Sequence, residues 1–395
     1  MSLILGRNDP VRRLVIDGKP LVDDHFSGIG HYTMSLVEAL DGLLADDPSR
    51  DVRLAVPAGR LHRLDPLRLE RIRPLRIPMT YVGFRRRLEP GRLPRMDRLL
   101  GRATYFFPNY VRWPLADSPS ITAVHDLSFD KLADSVDGPN AVFLRREVAN
   151  SVARSDLLTA LTHTMADEIT EHYSIDADRV SVVGCAADLT HFYRRSAEEI
   201  ERVKADHGVY GDYVISVGNI EPRKNQVRLL DAFCALPREL TDRTMLVLVG
   251  AGAWNEAEIR RRVDTALEDG HLVKLLLGCV ADSDLPALYS GALASAYVSV
   301  YEGFGMPPLE SMACRTPVLT SDRSVMPEVV GDAAVLADPH DQASLVDGLE
   351  RILTLDSEAR RDLEARGLAN VARYRWVDAA RALLDGVDRV SGVRS

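Results

Sequence analysis

Cysteine is scarce: the 395 residues hold four, at 185, 234, 279 and 314, with no Cys-x-x-Cys pair. That spacing excludes a disulfide framework and a zinc finger, and it favours a reducing compartment. Long apolar runs are missing too, since no stretch of about 18 apolar residues occurs and so no membrane-spanning helix is expected. The opening MSLILGRNDPVRRL has its only apolar stretch before its basic residues and lacks a signal peptide's long apolar region, so a cytoplasmic protein is expected. Nor is there a surplus of positive charge. Against 58 acids stand 49 Lys and Arg, a formal net charge of −9, which argues against bulk nucleic-acid binding. No repeat with a period of about 20 to 50 residues is visible, which excludes a solenoid.

What is present fits a packed fold: 46% hydrophobic and 27% charged residues, with 26 Gly and 21 Pro. The length suits two domains of roughly 150 to 200 residues each. Short apolar runs alternate with helical patterns: LVID at 14–17, VRLAV at 52–56, TYFF at 104–107, ITAV at 121–124, LLTAL at 157–161 and VSVVG at 180–184. A polar helical stretch, Glu198 to Asp206, intervenes before YVISVG at 213–218, MLVLVG at 245–250, VKLLLG at 273–278, AYVSV at 296–300 and PVLTS at 317–321. Strands alternating with helices predict an α/β fold of two doubly wound parallel sheets. The boundary is expected between Asp188 and Tyr213, giving domains 1–195 and 196–375, with helical patterns at 341–354, 357–374 and 376–390 closing the chain. In such sheets the loops beyond the C-terminal strand ends carry the function, here around a shared cleft.

Four loops stand out. Tyr301 to Glu310 (YEGFGMPPLE) follows strand AYVSV and opens a helix, so glycines and prolines build a helix N-terminus suited to an anion such as phosphate. Glu302 in the loop and Glu310 a turn into the helix are acceptors for paired sugar hydroxyls; an exposed strand-to-helix turn is the plainer alternative. SVGNIEPRKNQVRLLDAF at 216–233 puts Arg223 and Lys224 at another strand-to-helix turn, where two cations can neutralise a departing diphosphate or merely be solvated. In ITAVHDLSF, His125 and Asp126 follow a buried strand; His125 is placed to bond a substrate hydroxyl or to be structural, and Asp126 to fix a turn. Ser27 to Tyr32 (SGIGHY) precedes an amphipathic helix, too far beyond LVID for a dinucleotide fingerprint, with Ser27 as helix cap the alternative.

Asp282-Ser283-Asp284 has the Asp-x-Asp form of metal-dependent sugar transferases, but it precedes an apolar helix and is expected to be its cap. No His- or Cys-rich cluster suggests a metal elsewhere. Charge is uneven: from Arg60 to Arg102, 13 arginines face four acids, leaving the remainder at −18. Arginines interleaved with Leu, Ile, Met, Tyr81 and Phe84 suit an anionic bilayer surface; an exposed helical face or a site for an acidic polymer are the alternatives.

SGIGHY, VHDLSF, VGNIEPRKN and EGFGMPPLE together, in this order over nearly the whole chain, resemble the retaining, nucleotide-sugar-dependent glycosyltransferases of family 4, with the GT-B fold. Within it the set is similar to bacterial mannosyltransferases of O-antigen and exopolysaccharide assembly. The resemblance implies a metal-independent enzyme without a cofactor, moving a hexose, mannose from GDP-mannose, to a lipid-linked or polysaccharide acceptor. It implies that Glu310 binds the donor ribose and that Glu302 contacts the transferring sugar, beside backbone groups of Gly303, Phe304, Gly305 and Met306. Arg223 and Lys224 would hold the diphosphate, His125 would touch the sugar near its reacting carbon, and Val280 and Leu285 would border the base. Gly28 and Gly30 would let their loop approach the phosphates and the acceptor. Asn219 stands where the family often has another basic residue, and Tyr374-Arg375-Trp376 resembles the point where the last helix, about 376–395, crosses back to the acceptor-binding N-terminal domain. The alternatives are another nucleotide sugar (UDP-, dTDP- or ADP-linked) used on a soluble acceptor, and a non-catalytic sugar-nucleotide-binding scaffold. Attachment to the inner face of the cell membrane is expected if the arginine-rich stretch meets lipid.

Overall fold

A computed structural model of the chain describes residues 12–24, 28–88, 92–132, 138–251 and 256–392; Ser27 and the opening segment lie outside them. The first sheet joins β1 (Arg12–Asp17), β2 (Arg50–Ala58), β3 (Arg73–Thr80), β4 (Thr104–Phe107), β5 (Ser120–Ala123), β6 (Leu157–Ala160) and β7 (Val180–Val182) in the order β3-β2-β1-β4-β5-β6-β7. The second joins β8 (Asp212–Val217), β9 (Thr244–Gly250), β10 (Val273–Leu277), β11 (Ala294–Tyr297), β12 (Val318–Ser321) and β13 (Val335–Ala337) in the order β10-β9-β8-β11-β12-β13. Every pairing is parallel. Helices cover both faces, which is why the central strands read as unbroken apolar runs: all four residues of β4 and of β11 are buried.

The chain divides into Met1–Cys185 with Trp376–Ser395, and Ala186–Arg375. The first division falls ten residues before the expected 195. The reason is packing of residues 186–195 on the helix Leu285–Gly291: Arg195 N donates to Ser290 Oγ at 3.1 Å, Arg194 Nη1 to Ser290 O at 3.2 Å, and Phe192 meets Tyr289 edge-on at 6.2 Å. The closing helix Trp376–Ser391 belongs to the first unit. It buries Ala379, Ala380, Leu383 and Val387, and Asp388 receives Arg50 bidentately at 2.9 and 2.6 Å.

Three local expectations change. β3 lies inside the arginine-rich stretch, where no strand was read. Its sequence RPLRIPMT holds two prolines and buries only Ile77, a pattern that an edge strand tolerates because one side of its ladder is unpaired. Gly28 and Gly30 form the first turn of the helix Gly28–Leu43 and not a loop before it. Asp284 sits at the N-cap position of Leu285–Gly291 without a capping side-chain bond, because its Oδ2 is taken by His207 Nε2 at 2.9 Å.

The second unit is tight where β8 and β9 end. A Cβ on Gly250 would overlap the Gly218 carbonyl, whereas one on Gly42, in an exposed helical turn, would meet nothing within 4 Å. Gly250→Ala should therefore lower the unfolding free energy by about 2–3 kcal/mol. Gly42→Ala should raise it by roughly 0.5 kcal/mol. Denaturant midpoints of the two variants check this; equal midpoints would refute the close approach.

Candidate functional site

In the second sheet β8 and β11 are bonded neighbours, with Ala294 opposite Val214 and Ser295 opposite Ile215, yet the chain leaves them toward opposite edges. Their two following loops are thereby held apart by sheet topology and face each other across the strand ends, the place where open α/β sheets hold ligands. The first loop makes a single turn at Pro222–Lys224 and then needs Asn225 in the left-handed region, φ 62°. Asn225 Nδ2 donates to Val298 O at 3.2 Å and to Pro339 O at 2.8 Å, tying this loop to the segments after β11 and β13.

The AYVSV strand is shorter than its sequence suggests. Residues 298–300 leave the sheet because Val300 N donates to Arg223 O at 2.8 Å. This turns Glu302 onto the two cations. Lys224 Nζ donates to Glu302 Oε1 at 2.6 Å and Arg223 Nη1 to Oε2 at 2.8 Å. Tyr297 Oη and Ser299 Oγ also donate to Oε1, each at 2.7 Å, and Lys224 Nζ lies 2.5 Å from Tyr297 Oη. Ser324, at φ 54°, fixes the Glu302 backbone by donating to its carbonyl at 2.9 Å and accepting from its N–H at 3.2 Å.

Burial pushes the Glu302 carboxyl up, but Lys224 and Arg223 outweigh it and hold the group at about 2. Burial pulls Lys224 below the usual lysine value, opposed by Glu302. At neutral pH the cluster is a set of ion pairs. Oε1 is crowded by three donors while Oε2 takes one, from Arg223, so a further hydroxyl would find room on Glu302 at Oε2. Lys224 has two of its three N–H groups engaged, leaving one for an incoming anion.

Gly305 opens the helix Met306–Ala313 at φ 89°, where a Cβ would overlap Met326 Cε, so only glycine fits. Pro307 and Pro308 carry no N–H, so of the four positions that open this helix only Gly305 and Met306 offer a free donor. Gly303 is buried, and Phe304 is buried edge-on against Tyr374 at 5.5 Å. Glu310 differs from Glu302: Tyr289 Oη donates to its Oε2 at 3.3 Å, no cation pairs with it among the described residues, and burial pushes its carboxyl up to about 7. Val280 and Leu285 are half-buried against the core beneath β10, and Asn219 is exposed, with Nδ2 at 3.5 Å from Glu221 Oε1.

His125, Gly28 and Gly30 lie in the first unit. His125 is buried between Tyr32 and Tyr110, edge-on at 5.0 and 5.3 Å, and Nε2 donates to Pro108 O at 2.6 Å. Burial lowers its pKa, so the ring is neutral, with Nδ1 left as the acceptor nitrogen. Asp126 Oδ1 accepts from Ser128 N at 3.0 Å and Ser128 Oγ at 2.8 Å, fixing the turn. Gly28 is exposed and Gly30 buried.

A family model described as glycosyl transferases group 1 matches residues 198–369, and one described as a glycosyl transferase 4-like domain matches residues 27–186. Over 272 residues the chain is 31% identical to the O-antigen chain mannosyltransferase B of Escherichia coli, covering 69% of this chain and 70% of that protein. The chain belongs to glycosyltransferase family 4. The enzyme is also 31% identical over 238 residues to the serotype-specific mannosyltransferase WbdA of Escherichia coli, a match that takes in 60% of this chain and 29% of WbdA. With the D-inositol 3-phosphate glycosyltransferase of Salinispora tropica it shares 32% over 292 residues, 69% of this chain and 59% of that one. The solved sucrose-phosphate synthase of Thermosynechococcus elongatus superposes with a TM-score of 0.71 at 18% identity, covering 97% of this chain and 100% of the other, a likeness that gives the GT-B fold.

Tyr297, Ser299, Ser324 and Tyr289 complete the candidate site and were not read from sequence. Tyr297 and Ser299 had a signal: they alternate in AYVSV just before Glu302, with hydroxyls in an otherwise apolar strand. Ser324 and Tyr289 had none, since tertiary packing brings them in. Among the described residues no group of three or more His, Cys, Asp or Glu is placed to hold a metal.

The raised Glu310 carboxyl has a signed consequence. Folded, it keeps its proton up to about pH 7, while the unfolded chain releases it near the ordinary value of 4.5, so the penalty grows between these limits and is full above them. Glu310→Gln should stabilise the fold at pH 8 by on the order of 2 kcal/mol and leave it unchanged at pH 4. Thermal melts at the two pH values decide it; a gain that does not depend on pH would contradict the burial of a protonated carboxyl.

Proposed function

We propose that this glycosyltransferase moves mannose from GDP-mannose to a lipid-linked or polysaccharide acceptor, with retention, in surface glycan assembly. The observation that carries the reading is the Arg223–Lys224–Glu302 cluster at the switch point of the second sheet. Similarity to O-antigen mannosyltransferases supports the choice of sugar. The second unit binds the donor, with Glu310 on the ribose, Val280 and Leu285 beside the base, and Gly303 to Met306 offering backbone groups. The first binds the acceptor, with Gly28 and Gly30 at its entrance and His125 near the reacting carbon.

As the sugar–phosphate bond breaks, charge gathers on the leaving diphosphate. Lys224 and Arg223, already oriented by Glu302, neutralise it without solvent reorganisation and without a divalent ion. Glu302 Oε2, with a single donor, has room for a sugar hydroxyl. Ten of the arginines between 60 and 102 are exposed, which favours a cytoplasmic enzyme resting on an anionic membrane face. No helix among the described residues is long and apolar enough to cross a membrane.

A second reading keeps the donor site and uses a soluble acceptor, favoured by the likeness to D-inositol 3-phosphate glycosyltransferases. Vesicle sedimentation separates the two: salt-sensitive binding supports the membrane reading, and no binding at low salt removes it.

Thermal-shift titration with GDP, UDP, dTDP and ADP sugars, with and without chelator, tests the donor. A chelator-insensitive shift with GDP-mannose alone is expected; a shift with another nucleotide only would overturn the donor, and none with any would favour a scaffold. Lys224→Ala and Glu302→Ala should each lower kcat/KM by about 100-fold or more with the donor-free melting curve still cooperative. Near-normal turnover in either variant would remove the assigned role.

A further inference from the structure

A second concentration of positive charge lies in the first unit, at the opposite end of its sheet from His125. Residues at the N-terminal ends of β1, β4, β5 and β6 surround a cavity of about 770 Å³, closed on one side by the end of helix Trp376–Ser391. Its lining holds four arginines, Arg13, Arg102, Arg112 and Arg154, against two acids, Asp117 and Asp156. Arg112 and Arg154 also line an adjoining cavity of about 330 Å³, to which Arg146 and Glu147 contribute.

The arginines are poorly neutralised. Arg13 has Asp51 at 3.3 Å, but Asp51 also takes Arg53 at 2.5 Å. Among the described residues no carboxylate lies within 4 Å of Arg102, Arg112 or Arg154. Asp156 is occupied: its Oδ2 accepts from Ser120 N at 2.8 Å. Half-buried Arg112 directs Nε to Ser120 Oγ at 2.8 Å and Nη1 to Trp113 O at 3.2 Å, which leaves the Nη2 edge of the guanidinium without a partner among the described residues. Burial pulls the Arg112 pKa down; Asp156 and Asp97 oppose the shift without cancelling it, and Arg154 and Arg95 add to it.

Helix ends explain part of this. Arg154 lies in the last turn of Gly138–Arg154, where a cation complements the dipole. Arg112 is in a loop and Arg13 on a strand, so the dipole does not account for them. Guanidinium groups converging on one open cavity match the bidentate recognition of phosphate oxygens.

We propose that the cavity at the N-terminal ends of β1, β4, β5 and β6 binds a phosphate-bearing anion, through Arg112 and Arg154 with Arg13 and Arg102 around them. The site is separate from the cations of the donor unit and does not depend on the identity of the transferred sugar.

The full chain is titrated with inorganic pyrophosphate by calorimetry at low salt. We expect two binding equivalents: one lost in Lys224→Ala, the other lost in Arg154→Glu, whose side chain is exposed and outside the core. Arg112→Gln should weaken the latter by about tenfold or more, with an unchanged melting curve. Loss of the Lys224 equivalent alone bears on the donor site and not on this one. In parallel, phosphatidylcholine vesicles with and without phosphatidic acid are sedimented with the wild type and Arg154→Glu. Pyrophosphate binding lost in Arg154→Glu assigns the site to a soluble phosphate. Binding only to phosphatidic acid vesicles, lost in the same variant, assigns it to a lipid headgroup. If Arg154→Glu changes neither, the cavity holds no phosphate-bearing anion and the proposal is overturned.

Discussion

The second unit is organised around one buried carboxylate. Glu302 is 6% exposed and would be costly to bury alone as an anion. It is tolerable because Lys224, Arg223, Tyr297 and Ser299 converge on its two oxygens. Each partner comes from a different requirement of the fold. The cations ride on the turn after β8, the two hydroxyls on β11 and its continuation, and Ser324 on the segment after β12. Removing the carboxylate would leave two cations facing one another, and removing a cation would leave the anion short of charge. The cluster therefore fixes the two switch-point loops to each other as firmly as any apolar contact in the unit, and the same fixation orients the cations.

Why the topology must be as it is follows from chain direction. β8 and β11 are bonded, but their successors run to opposite edges, so no helix can cover the strand ends between them. The gap is filled by loops, and the loops are tight. Gly250 lies against the Gly218 carbonyl and Gly305 against Met326 and Tyr297, so side chains at these positions would force apart the segments that carry Lys224 and Glu302. Asn225, in the left-handed region, does similar service from the other side, spending its amide on two carbonyls of neighbouring loops.

Much of this was legible in the sequence. Buried parallel strands announce themselves as unbroken apolar runs, so β4, β6, β8, β9 and β10 were located nearly to the residue. β3 escaped because its prolines and arginines look nothing like a strand, and β13 because Val335–Ala337 is three residues long. The end of β11 was overestimated, since Val298 to Val300 has strand-forming side chains and only the Arg223 carbonyl draws it away. For the site, Arg223, Lys224 and Glu302 could be picked by residue type and position after a strand. Their mutual contact could not, because it spans 78 and 79 positions of chain. The roles of Tyr289 and Ser324 depend wholly on that folding.

Glu302 and Glu310 stand eight positions apart in one motif and titrate in opposite senses, at about 2 and about 7. Burial pushes both up; the difference is the company each keeps. Glu302 has two cations within 3 Å, while Glu310 has one phenol at 3.3 Å. Glu302 is thus a fixed anion over the whole physiological range, suited to holding cations in place. Glu310 is poised between its two forms near neutrality, and any ligand that donates hydroxyls to it favours the ionised one. A pair of vicinal hydroxyls is the group that satisfies such a carboxylate without adding charge, whereas a second anion there would oppose its ionisation. A fixed anion and a titrating carboxyl are in this way set at either end of the short segment from Glu302 into the helix Met306–Ala313, with Gly305 holding the helix start against Met326.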